Sequence, residues 1–347
     1  MILPQSGQTI SARPSIHSPC KGGIGLINPL QSAWRARHVL LLGPAGRPCA
    51  FMQALLEALG AKCARISPTE DAEALCRAMQ RGRICAVIVP ELRALSPRGD
   101  AAAQLSALAL FLGECREAGM PLALLLSDAA VYRAAARPWL VCEEDPIGGE
   151  TRDGLVQSML QLYADGVSRG LIGDTVRVIC ARHPPLLGCG HPSVLPYSLW
   201  CDALDAGERL HVPHPGMQGL FVSPLDICCG ALLLGARFLS GDDMCSGIFN
   251  LAAGPECAAA NRTAALRFGR DHGSKRPILE TNPPAPPPAP QLGGERARRL
   301  AGAHTLIPMD EALSMLLALE RAARISPEEE LKEINRQAQD YLLRLSV

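Results

Sequence analysis

Gly43 and Gly46 follow the apolar run His38 to Leu42 and lead into a helical pattern over 50–59. A turn of this composition can hold a pyrophosphate. The unpaired N–H groups and positive dipole end of the following helix attract an anion, and glycine lets the backbone approach it closely. The candidate contacts are Gly43, Ala45, Gly46 and Arg47. Two residues work against them: Pro48 removes an N–H donor, and Cys49 stands where a third glycine would complete G-x-x-G-x-x-G. Dinucleotide binding is therefore expected to be weak or absent. NAD and NADP are both open as ligands, because the second strand ends at Ile66-Ser67 without an acidic residue for the ribose. The competing reading is an α/β domain whose first turn binds nothing.

Other chemically capable residues are less ordered in sequence. Cys180, His183, Cys189 and His191 form C-x2-H-x5-C-x-H, side chains a metal would accept. Two intervening prolines and a strand-end cysteine fit core and turn residues better, so no metal is expected. His211 and His214 flank Pro213 and read as solvated turn residues. Ser223 near Asp226 lacks the G-x-S-x-G elbow of a hydrolase. Lysine occurs only at 21, 62, 275 and 332, leaving none between 62 and 275.

Positioning these groups requires a sheet. Strand-like runs at His38 to Leu42, Cys63 to Ile66, Cys85 to Val89, Leu122 to Leu126 and Val176 to Cys180 alternate with helical patterns at 50–59, 70–81, 101–118 and 154–168. That order specifies a parallel sheet covered on both faces. The apolar stripe Leu155, Val156, Met159, Leu160 and Tyr163 reads as a core face, and Leu105, Leu108, Leu112 and Cys115 line helix 101–118. Ser326 before Pro327 and three glutamates marks a helix start.

The 347 residues are 48% hydrophobic with zero formal net charge, enough for one large core or two unequal lobes. The arginines are scattered, so no nucleic-acid partner is expected. No apolar run is long enough to span a bilayer, so no membrane partner is expected either. The first residues carry no charged start followed by an apolar core, which makes cytoplasm the default. The 14 cysteines lie mostly in apolar contexts and fit a reducing compartment.

Several anchors occur in a recognisable order. They are Trp34-Arg35-Ala36-Arg37-His38-Val39 before Gly43 and Gly46, then Ser127-Asp128-Ala129-Ala130-Val131-Tyr132, then Glu144-Asp145-Pro146-Ile147-Gly148-Gly149. Ala181-Arg182, Leu187-Gly188-Cys189-Gly190, Phe249-Asn250-Leu251, Asn261-Arg262-Thr263 and Met309-Asp310-Glu311-Ala312-Leu313 follow. With these the chain resembles the extended short-chain dehydrogenase/reductases of the NAD-dependent epimerase/dehydratase type, most of all the CDP-glucose 4,6-dehydratases, over residues 34–345.

The resemblance implies an α/β fold, a Rossmann-type doubly wound parallel sheet with a smaller C-terminal substrate lobe. It divides the chain into a flexible tail at 1–33, a dinucleotide-binding domain at 34–182, a substrate lobe with returning sheet elements at 183–280, a Pro-rich spacer at 281–294 and a helical closing element at 295–347. It also implies NAD-dependent oxidation of a nucleotide sugar at C4, loss of water across C5 and C6, and return of the hydride to C6. Such chemistry uses a Tyr-x-x-x-Lys pair, whose lysine lowers the phenol pKa and binds the nicotinamide ribose.

By this resemblance the family's catalytic positions fall on Asp128, Asp153 and Gln157, and no tyrosine in the chain is followed four residues later by lysine. A substrate-lobe Asn falls on Pro185 and a diphosphate-side Arg on Gly219. The leading expectation is a non-catalytic relative that binds a nucleotide sugar weakly or partners an active enzyme, as a homodimer or as a hetero-oligomer with an active relative. The alternative is a dehydratase or epimerase using Asp128 or Asp153 as atypical acid–base groups.

Overall fold

The computed structural model describes residues 27–44, 46–66, 84–92, 100–132, 140–149, 151–172, 176–189, 197–274, 278–282 and 291–346. Helix α1 spans Ile27–Trp34, and strand β1, His38–Leu42, leads into α2, Arg47–Ala58. Next come β2 (Lys62–Ile66), β3 (Ile84–Val89), α3 (Ala101–Glu117), β4 (Leu122–Asp128), α4 (Arg152–Ser168) and β5 (Val178–His183). After α5 (Tyr197–Asp205) and α6 (Pro224–Leu239), strand β6 (Gly247–Asn250) returns to the sheet. Helices α7 (Asn261–His272), α8 (Glu295–Ala301), α9 (Met309–Ile325) and α10 (Pro327–Arg344) follow.

The six strands pair in parallel in the order β2-β1-β3-β4-β5-β6. Side-chain alternation sends each strand's residues to two cores. Val39, Leu41, Ile88, Leu124 and Ala181 face the core that α2 and α6 close, with α10 packed on α2. Leu40, Leu42, Val87, Leu125 and Val178 face Leu108, Phe111 and Leu112 of α3 and Val156 and Leu160 of α4. Helix starts follow local chemistry. Ser326 Oγ accepts the Glu329 N–H with Pro327 in the first turn, and Thr151 Oγ1 accepts the Gly154 N–H at 3.0 Å.

The expected tail at 1–33 needs correction over its last residues. Leu30, Ala33 and Trp34 of α1 are buried, and the Trp34 indole N–H donates to the Leu232 carbonyl at 3.1 Å. One apolar face on eight residues is too short to stand out beside a Pro- and Ser-rich run. The fifth strand reaches His183 rather than ending at Cys180, because pairing with β4 continues to Asp128–His183. The 70–81 helix and residues 283–290 of the spacer lie outside the described residues.

The stripe read on 154–168 divides between two faces. Val156 and Leu160 are buried in the monomer, whereas Leu155 and Met159 are about half exposed together with Leu162 and, on α3, Leu110. The Ser223–Asp226 pair is structural. Ser223 caps α6, and the buried Asp226 carboxylate accepts the Leu306 and Ile307 N–H groups and the Tyr341 hydroxyl. Burial pushes its carboxyl up to about 6 against those hydrogen bonds.

Candidate functional site

Parallel strands present their C-terminal ends along one edge, where ligands of such sheets bind. Here that edge carries a narrow cleft between Pro48 at the start of α2, Pro90, Glu91 and Leu92 after β3, Asp128 ending β4, Gln157 of α4, and His183, Leu186 and Cys189 from β5 onward. About 30 Å³ of it is open to the centres of water molecules, where one water needs about 10–15 Å³. By the same measure a larger space, about 230 Å³, lies between α9 and α10 and is lined by Met315, Arg336, Gln337 and Tyr341, away from the strand ends.

Each expected phosphate contact can be placed except Ala45, which lies outside the described residues. Gly43 follows β1, its N–H bonded to the Ile66 carbonyl at 3.1 Å. Gly46 caps α2 in extended conformation, and a Cβ at either glycine would meet no atom nearer than 3.8 Å. Pro48 is an ordinary helix starter in the first turn of α2, yet its missing N–H remains a missing anion donor. Cys49 is buried, and burial holds its thiol above the usual value. Arg47 points elsewhere. Its Nε donates to Glu330 at 2.7 Å, and its Nη1 donates to Glu320 at 2.5 Å and to the Gly188 carbonyl at 2.9 Å.

Asp128 and Gln157 meet, whereas Asp153 stands apart. Gln157 Oε1 accepts both the Ser127 hydroxyl at 2.9 Å and the Asp128 N–H at 3.0 Å, so its amide oxygen is tied to the end of β4. Asp128 Oδ1 accepts the Ala130 N–H at 2.7 Å, starting the short 3-10 turn Ala129–Val131. Asp153 is exposed in the first turn of α4 and is not among the cleft-lining residues.

This geometry depends on two glycines. A Cβ on Gly154 or on Gly149 would lie 2.3 Å from the Ala130 carbonyl oxygen, so only bare backbone lets α4 come this close to the end of β4.

Behind the cleft, Ser127, Tyr132, Arg182 and Asn250, named above only as anchors of the resemblance, join Gln161 in a buried polar chain. Arg182, 1% exposed, donates from Nε to Gln161 Oε1 at 2.7 Å and from Nη1 to the Tyr132 hydroxyl, with its guanidinium 4.7 Å from that ring's centroid. Gln161 Nε2 reaches Ser127 Oγ at 2.5 Å, and Tyr132 donates to Asn250 Oδ1 at 2.9 Å. Burial raises the Tyr132 phenol even against the Arg182 charge, which keeps it protonated and unsuited to act as a base near neutral pH. Arginine inside an apolar strand was the available signal.

The cysteine–histidine set does not assemble among the described residues. Cys180 is buried, His183 Nδ1 lies 2.8 Å from the Pro184 carbonyl, His191 lies outside the described residues, and no three potential ligands cluster. His211 Nε2 pairs with Thr281 Oγ1 at 2.7 Å.

No protein-family model and no curated protein matches the chain. Solved structures do. The UDP-glucose 4-epimerase of Thermotoga maritima, with UDP-glucose, is 14% identical with a TM-score of 0.68, over 83% of this chain and 100% of that one. The dTDP-glucose 4,6-dehydratase of Bacillus anthracis, in complex with NAD, is 12% identical with a TM-score of 0.69, over 85% and 100%. RMD from Pseudomonas aeruginosa, complexed with NADPH, is 18% identical with a TM-score of 0.64, over 83% and 100%. The chain has the Rossmann-type α/β fold of these structures. Among the described residues no helix is long and apolar enough to cross a membrane.

Proposed function

We propose that this chain is a CDP-glucose 4,6-dehydratase-like protein of nucleotide-sugar metabolism that no longer performs the oxidation and elimination, and that it acts as a weak nucleotide-ligand binder or as the partner of an active subunit. Gln157 carries the reading. It stands where the family resemblance calls for lysine, has no charge to lower a phenol pKa, and has its amide oxygen committed to Ser127 and the Asp128 N–H. Asp153, at the tyrosine position, is a carboxylate on the surface. General acid–base groups contribute about 10²- to 10⁴-fold each, so losing several together leaves nothing above background.

The assay supplies NAD or NADP with CDP-, dTDP- or UDP-glucose and looks for a 4-keto-6-deoxy product or the C4 epimer by chromatography. No product is expected. The competing enzyme reading uses Asp128 or Asp153; of the two, Asp128 lines the cleft and Asp153 is exposed outside it. Turnover that is lost on Asp128→Asn would establish that reading and remove this one.

The exposed row Leu155, Met159 and Leu162 on α4, with Leu110 exposed on α3, supports a helical contact with a second copy or an active relative. Light scattering should report a dimer that becomes monomeric on Met159→Asp with unchanged circular dichroism. A monomeric parent protein would sink the homodimer.

A further inference from the structure

The space between α9 and α10 has room for a ligand of limited size. About 230 Å³ is open there, more than the roughly 150 Å³ that admits benzene to an engineered cavity and less than the ~300 Å³ at which sites for drug-sized ligands begin. A nucleotide sugar is too large for it, and a molecule of amino-acid size is not. Ile307, Met315 and Ala318 give it an apolar wall.

Gln337 of α10 supplies the polar signal. The residue is 3% exposed, and its Nε2 donates to the Met315 carbonyl at 3.0 Å and to Glu333 Oε1 at 2.7 Å. Those two acceptors fix which end of the amide carries the protons. Oε1 is left without a hydrogen-bond partner among the described residues, yet it is not sealed from solvent, so it opens on the space that Gln337 lines. Beside it Arg336 donates to Glu333 at 2.9 and 2.6 Å and to Asp340 at 2.7 Å. One cation between two carboxylates makes this end net negative. About two turns along α10, Arg344 pairs through Nη1 with Glu311 of α9. Its Nε and Nη2 have no partner among the described residues, and that edge of a guanidinium fits a carboxylate with two parallel hydrogen bonds.

We propose that this space is a binding site for a small apolar amino acid, its ammonium taken by Gln337 Oε1 and Asp340, its carboxylate by Arg344, and its side chain by Ile307, Met315 and Ala318. An acceptor end, a donor end and an apolar wall in one space call for a zwitterion with an apolar group. A simple anion or a simple amine would satisfy one end alone. The site lies away from the strand ends, so its failure leaves the proposed loss of catalysis standing.

The test titrates L-leucine and L-methionine into the full chain by calorimetry, with N-acetyl-L-leucine, which lacks the ammonium, and L-leucinamide, which lacks the carboxylate. One-to-one binding of at least one amino acid is expected with a dissociation constant of about 1 mM or tighter. Each leucine analogue should bind at least about tenfold more weakly than L-leucine, the loss usual when hydrogen bonds to a charged group are removed. Arg344→Gln changes a half-exposed side chain, so circular dichroism should be unchanged. It should weaken the amino acid by the same factor while leaving L-leucinamide where it was. Gln337→Leu should weaken the amino acid and L-leucinamide alike, and if that variant melts below the assay temperature Asp340→Asn carries the same comparison. Absence of saturable heat from both amino acids at about ten times that concentration overturns the site. So does a smaller loss with either analogue or with Arg344→Gln.

Discussion

Trp34→Ala is expected to lower the unfolding free energy by about 3–5 kcal/mol, the cost usual for emptying a large aromatic site in a core. Trp34 is fully buried, its indole N–H donates to the Leu232 carbonyl, and Gly235 of α6 has no side chain because a Cβ there would lie 2.8 Å from the indole. Nothing nearby is shaped to refill that space, since the glycine exists to admit the ring. Trp34→Phe retains most of the apolar volume but loses the hydrogen bond and part of the packing, so it should cost about 1–2 kcal/mol. Urea denaturation of the three proteins decides the matter. A loss below about 1 kcal/mol for the alanine variant would mean that α1 is not bound as described.

Gly154→Ala should destabilise by about 3 kcal/mol, reversing the gain that helix propensity alone promises. The added methyl would meet the Ala130 carbonyl oxygen at 2.3 Å and Gly149 Cα at 3.1 Å. Both are backbone, so relief comes only by moving α4 off the end of β4, which pulls Gln157 from Ser127. Gly113, inside α3 with nothing within 4 Å of where a Cβ would stand, is the control. There alanine should stabilise by about 0.5–1 kcal/mol, because only backbone entropy and propensity change. Equal effects at the two positions in a denaturation experiment would refute the close approach of α4 to β4.

The sheet was legible because its inner strands are buried on both faces and so read as short apolar runs, as in Val39 to Leu42 and Leu122 to Leu126. The α10 start was equally plain, since Ser326, Pro327 and three glutamates act locally. Missing lysine at 157 could be read from sequence, but the hydrogen bonds of Gln157 to β4 could not, because they depend on how closely Gly154 lets the helix approach. Arg47 looked like a phosphate contact by position. Its partners lie 141, 273 and 283 residues away and leave no mark near the turn. Likewise the apolar residues of 154–168 gave one stripe in sequence and two faces in space, because Leu155 and Met159 share one side and Val156 and Leu160 the other.

Helix α10 packs along α2, and this pairing sets an order of events during synthesis. Arg47 leaves the ribosome 283 residues before Glu330, which at about 5–20 residues per second is a wait of roughly 15–60 s. Throughout that interval Met52 and Leu56 of α2, buried in the finished protein beside Ile334 and Ala338, lack the surface that will cover them. Local contacts cannot close this core early, since its formation is tied to a pairing of elements far apart in sequence. The nascent chain therefore presents an apolar helix face to chaperones until α10 arrives.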